Sequence, residues 1–302
     1  MLMQQRHLLS TDDLTLEEID KILVRASELL TPSGLSVFNV DTLVGRRFVL
    51  AFFEPSTRTR LSFESAIHRT GASCVHFAEA GSSVEKGESL DETIRTIESM
   101  GFDGMIIRHA VNGTHAHIAA RTSMSVINAG EGTMSHPTQA LLDASTIREK
   151  FGRIDGVKVV IIGDLLHSRV ARSTTSILRR LGAEVAWCAP ESLAPVDRSG
   201  YSLRFDDARS AMEWADVAYL LRIQRERIVS DVVPDVAFYR EHYAVDDSLA
   251  VQYPSVFVMH PGPVNIGVEL DASVLDLPQC LVHRQVTHGV AVRMAVLEQH
   301  SR

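Results

Sequence analysis

Cysteine is scarce. Cys74, Cys188 and Cys280 are odd in number and far apart, with no CxxC pair and no histidine at zinc-ligand spacing. The expectation is three reduced, mostly buried thiols in a cytoplasmic protein, with no metal. Basic residues are also short: 30 Lys and Arg against 38 Asp and Glu leave a formal net charge of -8. That balance argues against nucleic acid or an anionic membrane as partner, because both need a basic face. No apolar run approaches a membrane span. Gln4, Gln5, Arg6 and His7, followed by Asp12 and Asp13, lack the pattern of a signal peptide. Solenoid-length repeats and low-complexity segments are missing. So is the G-x-G-x-x-G fingerprint that lets a backbone approach a pyrophosphate, which argues against a dinucleotide cofactor.

What remains is an ordinary globular composition, 45% hydrophobic and 23% charged over 302 residues, with length for about two domains. Thr15 and Glu18 suggest a capping box ahead of an apolar stripe from Ile19 to Leu30. Short apolar strands then alternate with helical segments. Strands are expected at Phe48–Phe53, Cys74–Phe77, Met105–Ile107 and Val126–Ala129, with a helix after the first of them to about Gly71 and another from about Ser89 to Met100. After a helix from Thr138 to Phe151, a second series has strands at Val157–Ile162, Val185–Cys188, Val217–Leu221 and Val256–Met259. This alternation predicts an α/β fold of two doubly wound, mainly parallel sheets. The expected domains are 1–137 and 150–285, with a terminal helix over 286–302 packing back on the first.

Residues that could do chemistry stand where strands end. Ser56-Thr57-Arg58-Thr59-Arg60 follows the break at Glu54-Pro55 and opens a helix. Hydroxyls, unpaired first-turn N–H groups, a positive dipole end and guanidiniums make that turn an anion site. An ordinary capped helix with solvated arginines is the competing reading. Arg108 follows another strand. His136 and Gln139, three residues apart, share one face of a first helical turn. In the second half, Arg169 and Arg172 open a helix after Val157–Ile162, and Arg222 and Gln224 follow Val217–Leu221. His260-Pro261-Gly262-Pro263 leaves rigid carbonyls that suit an NH2 group. Gly81 to Glu88, with Ser82 and Lys86, reads as a polar loop.

Taken with their order along the chain, these motifs resemble the aspartate and ornithine carbamoyltransferase family from about Ser10 to Leu297. The resemblance implies an active site in the cleft between the two domains. By similarity, Ser56, Thr57, Arg58 and Thr59 hold the phosphate of carbamoyl phosphate, and Arg108 sits near the phosphate and the carbonyl oxygen. His136 donates to that oxygen; Gln139 and the carbonyls of Pro261 and Gly262 bind the carbamoyl NH2. Ser82 and Lys86 reach the site of an adjacent subunit. Arg169, Arg222 and Gln224 bind the two carboxylates of L-aspartate. The resemblance further implies a homotrimer with shared sites, to which regulatory chains or a dihydroorotase can be added, and a reaction without cofactor.

The implied activity is transfer of the carbamoyl group to L-aspartate, giving N-carbamoyl-L-aspartate and phosphate. Ornithine fits less well, because Arg222 repels its cationic side chain. Two alternatives stay open: a relative acting on another amine, and an inactive structural homologue, whose expected mark is loss of Arg58, His136 or Lys86. All three are present. The chain departs from the family pattern at Ile266, where Arg is usual, at Ala110, where Pro is usual, and at His288, where Asn is usual. The carbamoyl-phosphate set is whole, so these positions bear on acceptor choice or rate.

Overall fold

The computed structural model describes residues 7–77, 87–224 and 235–301. They divide into two compact units, one up to Ser145 together with the stretch from Val286 onward, the other Thr146–Gln285. Among the described residues no helix is long and apolar enough to cross a membrane, and no group of three His, Cys, Asp or Glu is placed to hold a metal ion.

The first unit begins with α1 (Leu16–Leu29). Thr15 Oγ1 accepts from the Glu18 N–H at 3.2 Å, and the Glu18 carboxylate takes the Thr15 N–H at 2.7 Å. This pairing starts the helix and turns Ile19, Ile22, Leu23, Ala26 and Leu29 inward. Strands β1 (Arg47–Phe52), β2 (Ser73–Phe77), β3 (Gly104–His109) and β4 (Ser125–Glu131) form a parallel sheet in the order β2-β1-β3-β4. Helices α2 (Thr57–Arg69), α3 (Leu90–Ser99) and α4 (Thr114–Ala119) connect them, and α5 (Pro137–Phe151) follows β4. The strand at Cys74 is an edge with Val75 55% exposed, whereas β4 is buried along its whole length. An apolar run signals a strand without saying whether both its faces are covered. Six-residue α4 was not among the expected elements, since Thr-His-Ala-His-Ile-Ala carries no apolar stripe long enough to announce a helix.

The second unit holds β5 (Lys158–Ile162), α6 (Arg169–Arg180), β6 (Glu184–Cys188), β7 (Arg204–Phe205), α7 (Ala208–Trp214), β8 (Val217–Leu220), α8 (Val236–Tyr243), α9 (Asp247–Gln252) and β9 (Phe257–Met259). Its sheet is parallel, in the order β7-β6-β5-β8-β9. Helix α10 (Val282–His300) closes the chain and starts four residues before the expected Val286. Leu281 and Val282 are buried, and Gln285 N–H already bonds the Leu281 carbonyl at 2.8 Å, so the turn is helical earlier than the apolar pattern suggests.

Each sheet reverses its order next to its first strand, between β1 and β3 in one unit and between β5 and β8 in the other. At such a reversal the connections leave in opposite directions and open a crevice at the carboxyl ends of the strands, where parallel sheets bind ligands. Gly163 shows how tight the second reversal is. It sits at φ 126°, and a Cβ there would meet the Leu221 carbonyl oxygen at 2.3 Å, so only glycine lets the ends of β5 and β8 approach.

Of the cysteines only Cys188 is fully buried; Cys74 and Cys280 are half-buried, which corrects the expectation of mostly buried thiols. Burial, with the Glu64 carboxylate adding to it, pushes the Cys74 thiol up to about 11. Burial raises Cys188 and Cys280 too, so none is a poised nucleophile.

Candidate functional site

The anion turn stands at the carboxyl end of β1. Ser56 caps α2 with extended backbone (φ -161°, ψ 93°), yet its hydroxyl makes no capping hydrogen bond. The first-turn N–H groups of such a helix have no intrahelical partner, and here the customary side-chain acceptor is not spent on them. Thr57 and Arg58 are exposed, whereas Thr59 is only 7% exposed and faces inward. Across the reversal, Arg108 pairs in register with Phe52 near the end of β3, and its carbonyl takes the Phe53 N–H at 2.9 Å. Its guanidinium lies 3.4 Å from the Glu54 carboxylate, both side chains being mostly buried. Glu54, marked in the sequence only as part of the strand break, thus aims Arg108. The adjacent His109 accepts the Val111 N–H on Nδ1 at 3.0 Å and packs its ring on Phe53, 5.1 Å between centroids. The departure at Ala110 lies on the exposed turn beyond it.

His136 and Gln139 are brought in by the end of β4 and the start of α5. Fully buried Asn128 shapes this corner, donating to the Leu9 carbonyl at 2.7 Å and to Ser135 Oγ at 2.8 Å while accepting the Gly130 N–H at 2.6 Å. His136 is 4% exposed, and its carbonyl takes the Gln139 N–H at 3.1 Å. Gln139 Nε2 donates to Asp143 Oδ1 at 2.9 Å. The bond identifies the amide nitrogen and leaves the amide oxygen as acceptor for something else. Asp143, one turn beyond Gln139, was legible as an i+4 partner but not singled out.

Glu131 ends β4 and takes the His115 backbone N–H at 3.0 Å, with the His115 ring 3.1 Å away. Burial alone would raise its carboxyl, but the hydrogen bond and charge of His115 outweigh burial and hold it below the ordinary value. The departure at His288 is internal to this unit: its ring is 1% exposed and bonds Ser145 Oγ through Nδ1 at 2.8 Å.

In the second unit the candidate residues follow β5, β8 and β9. Ser168 caps α6, its hydroxyl accepting the Ala171 N–H at 3.1 Å. Arg169 in the first turn is 4% exposed; Arg172, one turn on, is exposed and donates to the Leu166 carbonyl at 3.2 Å. Fully buried Asp164 accepts the His167 N–H at 3.1 Å and lies 3.0 Å from the His167 ring. Its other oxygen takes the Gln224 N–H at 3.1 Å. One carboxylate thereby sets the backbone that presents both Arg169 and the Arg222 to Gln224 segment. Nothing local in the sequence singles out Asp164, because its second partner lies 60 residues on.

After β9, His260 organises the proline loop. Its N–H donates to Gln285 Oε1 at 2.9 Å, and its ring accepts the Gly262 N–H on Nδ1 at 2.8 Å. The proton therefore sits on Nε2, which faces Glu269 at 3.2 Å. Glu269 also takes the Asn265 N–H at 2.6 Å. Among the described residues the carbonyls of Pro261 and Gly262 accept no backbone hydrogen bond. Ile266, at the third departure, is 52% exposed. Ser82 and Lys86 lie outside the described residues.

The chain matches two family models, the carbamoyl-P binding domain of aspartate/ornithine carbamoyltransferase over residues 6–149 and its Asp/Orn binding domain over residues 155–299. It is 47% identical to the aspartate carbamoyltransferase catalytic subunit of Thermobifida fusca over 97% of this chain and 94% of that one. Identity to the Sorangium cellulosum catalytic subunit is 46%, over 97% and 92%. The catalytic subunit of M. jannaschii aspartate transcarbamoylase superposes with a TM-score of 0.86 at 34% identity, covering 98% and 97%. Aspartate transcarbamoylase from Trypanosoma cruzi in complex with N-(phosphonacetyl)-L-aspartic acid gives 0.89 at 30%, covering 97% and 95%.

Proposed function

The chain belongs to the aspartate/ornithine carbamoyltransferase family, and on that premise we propose that it transfers the carbamoyl group of carbamoyl phosphate to the amine of L-aspartate, giving N-carbamoyl-L-aspartate and phosphate, a step of pyrimidine biosynthesis. The observation that carries this reading is the uncapped turn at Ser56, with Arg58 exposed beside it and Arg108 at the neighbouring strand end. A phosphate completes that turn as no side chain of the turn does.

The proposed roles follow the charge changes of the reaction. The neutral amine attacks the carbonyl carbon, negative charge grows on the carbonyl oxygen, and the bond to phosphate breaks. Ser56, Thr57, Arg58 and Thr59 hold the phosphate. Arg108 and His136 donate to the oxygens that gain charge, which favours the transition state over the ground state. The Gln139 amide oxygen and the carbonyls of Pro261 and Gly262 accept from the carbamoyl NH2. Arg169, Arg222 and Gln224 take the carboxylates of aspartate, and the departing phosphate can receive the amine proton. Ser82 and Lys86 are proposed from the sequence alone to serve an adjacent subunit's site in a cytoplasmic homotrimer. Native mass spectrometry tests the trimer and any added regulatory chains or dihydroorotase.

Steady-state assay with carbamoyl phosphate and a panel of amino acids tests the reaction. The expected outcome is turnover with L-aspartate alone. Turnover with another amine would overturn the acceptor, and none with any amine would overturn carbamoyl transfer.

A further inference from the structure

Glu269 puts a carboxyl group in the interior of the second unit, 1% exposed, and the roles above do not use it. Its Oε1 accepts the Asn265 N–H at 2.6 Å and stands 3.2 Å from His260 Nε2. Its Oε2 is buried and makes no hydrogen bond among the described residues. For packing alone that is a poor choice, because a carboxyl group taken out of water is costly unless its oxygens are satisfied. What Oε1 holds is the His260 ring. The Gly262 N–H donates to His260 Nδ1 at 2.8 Å, so Nδ1 is bare and the ring proton is on Nε2, where it is donated to Glu269. The Pro261–Gly262 peptide is trans and planar, and its N–H and C=O therefore point in opposite directions. With the N–H held inward by a histidine that is 2% exposed, the Pro261 carbonyl is turned outward, on a stretch where Pro261 and Gly262 are both partly exposed.

We propose that Glu269 is a positioning residue for the carbamoyl group, fixing the His260 ring so that the Pro261 carbonyl is aimed at the carbamoyl NH2. The inference rests on the carbamoyl-transfer reading. Every link is a hydrogen bond: Glu269 to His260 Nε2, His260 Nδ1 to the Gly262 N–H, and that N–H to the Pro261 carbonyl through one rigid peptide. Without an acceptor at Nε2, the buried imidazole gains by turning or by moving its proton to Nδ1. Either change sets donor against donor at Gly262 and frees the peptide to rotate. Gln285 Oε1 takes the His260 N–H at 2.9 Å and anchors the backbone of the histidine, while Glu269 anchors its ring. The Asn265 N–H on the same oxygen ties the far side of the loop to the same point.

Steady-state kinetics on the full chain test this, with acetyl phosphate as the competing inhibitor, since a methyl group stands there in place of the NH2. Glu269→Leu is expected to lower kcat/KM for carbamoyl phosphate roughly 10-fold, the order of one hydrogen bond, and to leave the acetyl phosphate Ki within about twofold. Glu269→Gln keeps an acceptor oxygen and is expected to restore the rate to within about threefold of native. In a His260→Ala background Glu269→Leu is expected to cost no more than about twofold, because the ring it orients is gone. A full repeat of the loss in that background, equal weakening of acetyl phosphate, or no restoration by Gln overturns the assignment. Where Glu269→Leu does not fold by circular dichroism, His260→Asn and His260→Gln carry the test. Asn offers an acceptor at the Nδ1 position and is expected to stay the more active, Gln offers one only at the Nε2 position and is expected to show the 10-fold loss, and equal losses overturn the assignment. A native chain without carbamoyl transfer overturns both this assignment and the reading beneath it, whereas an active native chain indifferent to Glu269→Leu overturns the assignment alone.

Discussion

Two strand-to-helix turns in this protein start from the same residue pair and use it in opposite ways. At β1–α2, Ser56 leaves its hydroxyl out of the cap, and Arg58 is exposed. At β5–α6, Ser168 spends its hydroxyl on the Ala171 N–H, and Arg169 is 4% exposed. The first turn takes no side-chain cap from Ser56, which leaves its N–H groups suited to the proposed phosphate. The second is complete in itself, so Arg169 projects from a finished helix start and its backbone is further held through Asp164. A Ser-x-Arg or Ser-Arg turn therefore says that a helix begins with a cation; whether the serine serves the helix or a ligand depends on the backbone around it.

The comparison is most sharply broken by Arg58→Ala. Loss of one donor to a charge-bearing oxygen costs about 10²–10³ in rate, and because Arg58 is exposed the melting temperature is expected to hold. Near-normal kcat/KM with unchanged melting would show that the open turn does not hold phosphate. Next comes Arg222→Ala in the other unit, where a lost charged hydrogen bond is worth about 1.5–3 kcal/mol. Its expected mark is weaker binding of N-(phosphonacetyl)-L-aspartic acid by calorimetry with phosphate affinity unchanged; equal weakening of both ligands would remove Arg222 from the acceptor's carboxylate.

A smaller effect separates the two serines directly. Ser168→Ala is expected to cost about 1 kcal/mol of stability as a lost cap, whereas Ser56→Ala, having no cap bond to lose, is expected to weaken phosphate and leave urea unfolding unchanged. The reverse assignment of the two effects would contradict the contrast. The smallest concerns acid. Glu131 is held below its ordinary value of 4.5, so its contribution to stability is whole above that value and is lost as pH falls through the lowered one. Glu131→Gln is expected to flatten the acid limb of melting temperature against pH, and a limb unchanged by the substitution would place the acid sensitivity elsewhere.

Local pattern was enough for much of this molecule. Alternating apolar strands and helical stripes predicted two parallel α/β sheets, because the side-chain periods of strand and helix are written into neighbouring residues. Hydroxyls and guanidiniums after a strand-ending proline announced Ser56 to Arg60 as a helix start, and His136 and Gln139 were legible by their three-residue spacing. Short α4, α7, α8 and α9 escaped, since a helix of two turns draws its stability from packing and not from its own pattern. Tertiary structure alone decided the partners: Glu54 on Arg108, Asp164 on Gln224, Glu269 on His260, and Arg293 on Ser62 and Phe63. Such pairs can join residues more than 200 positions apart. What brings them together is the burial of charge, which forces each buried ionic group to find a partner wherever the fold supplies one.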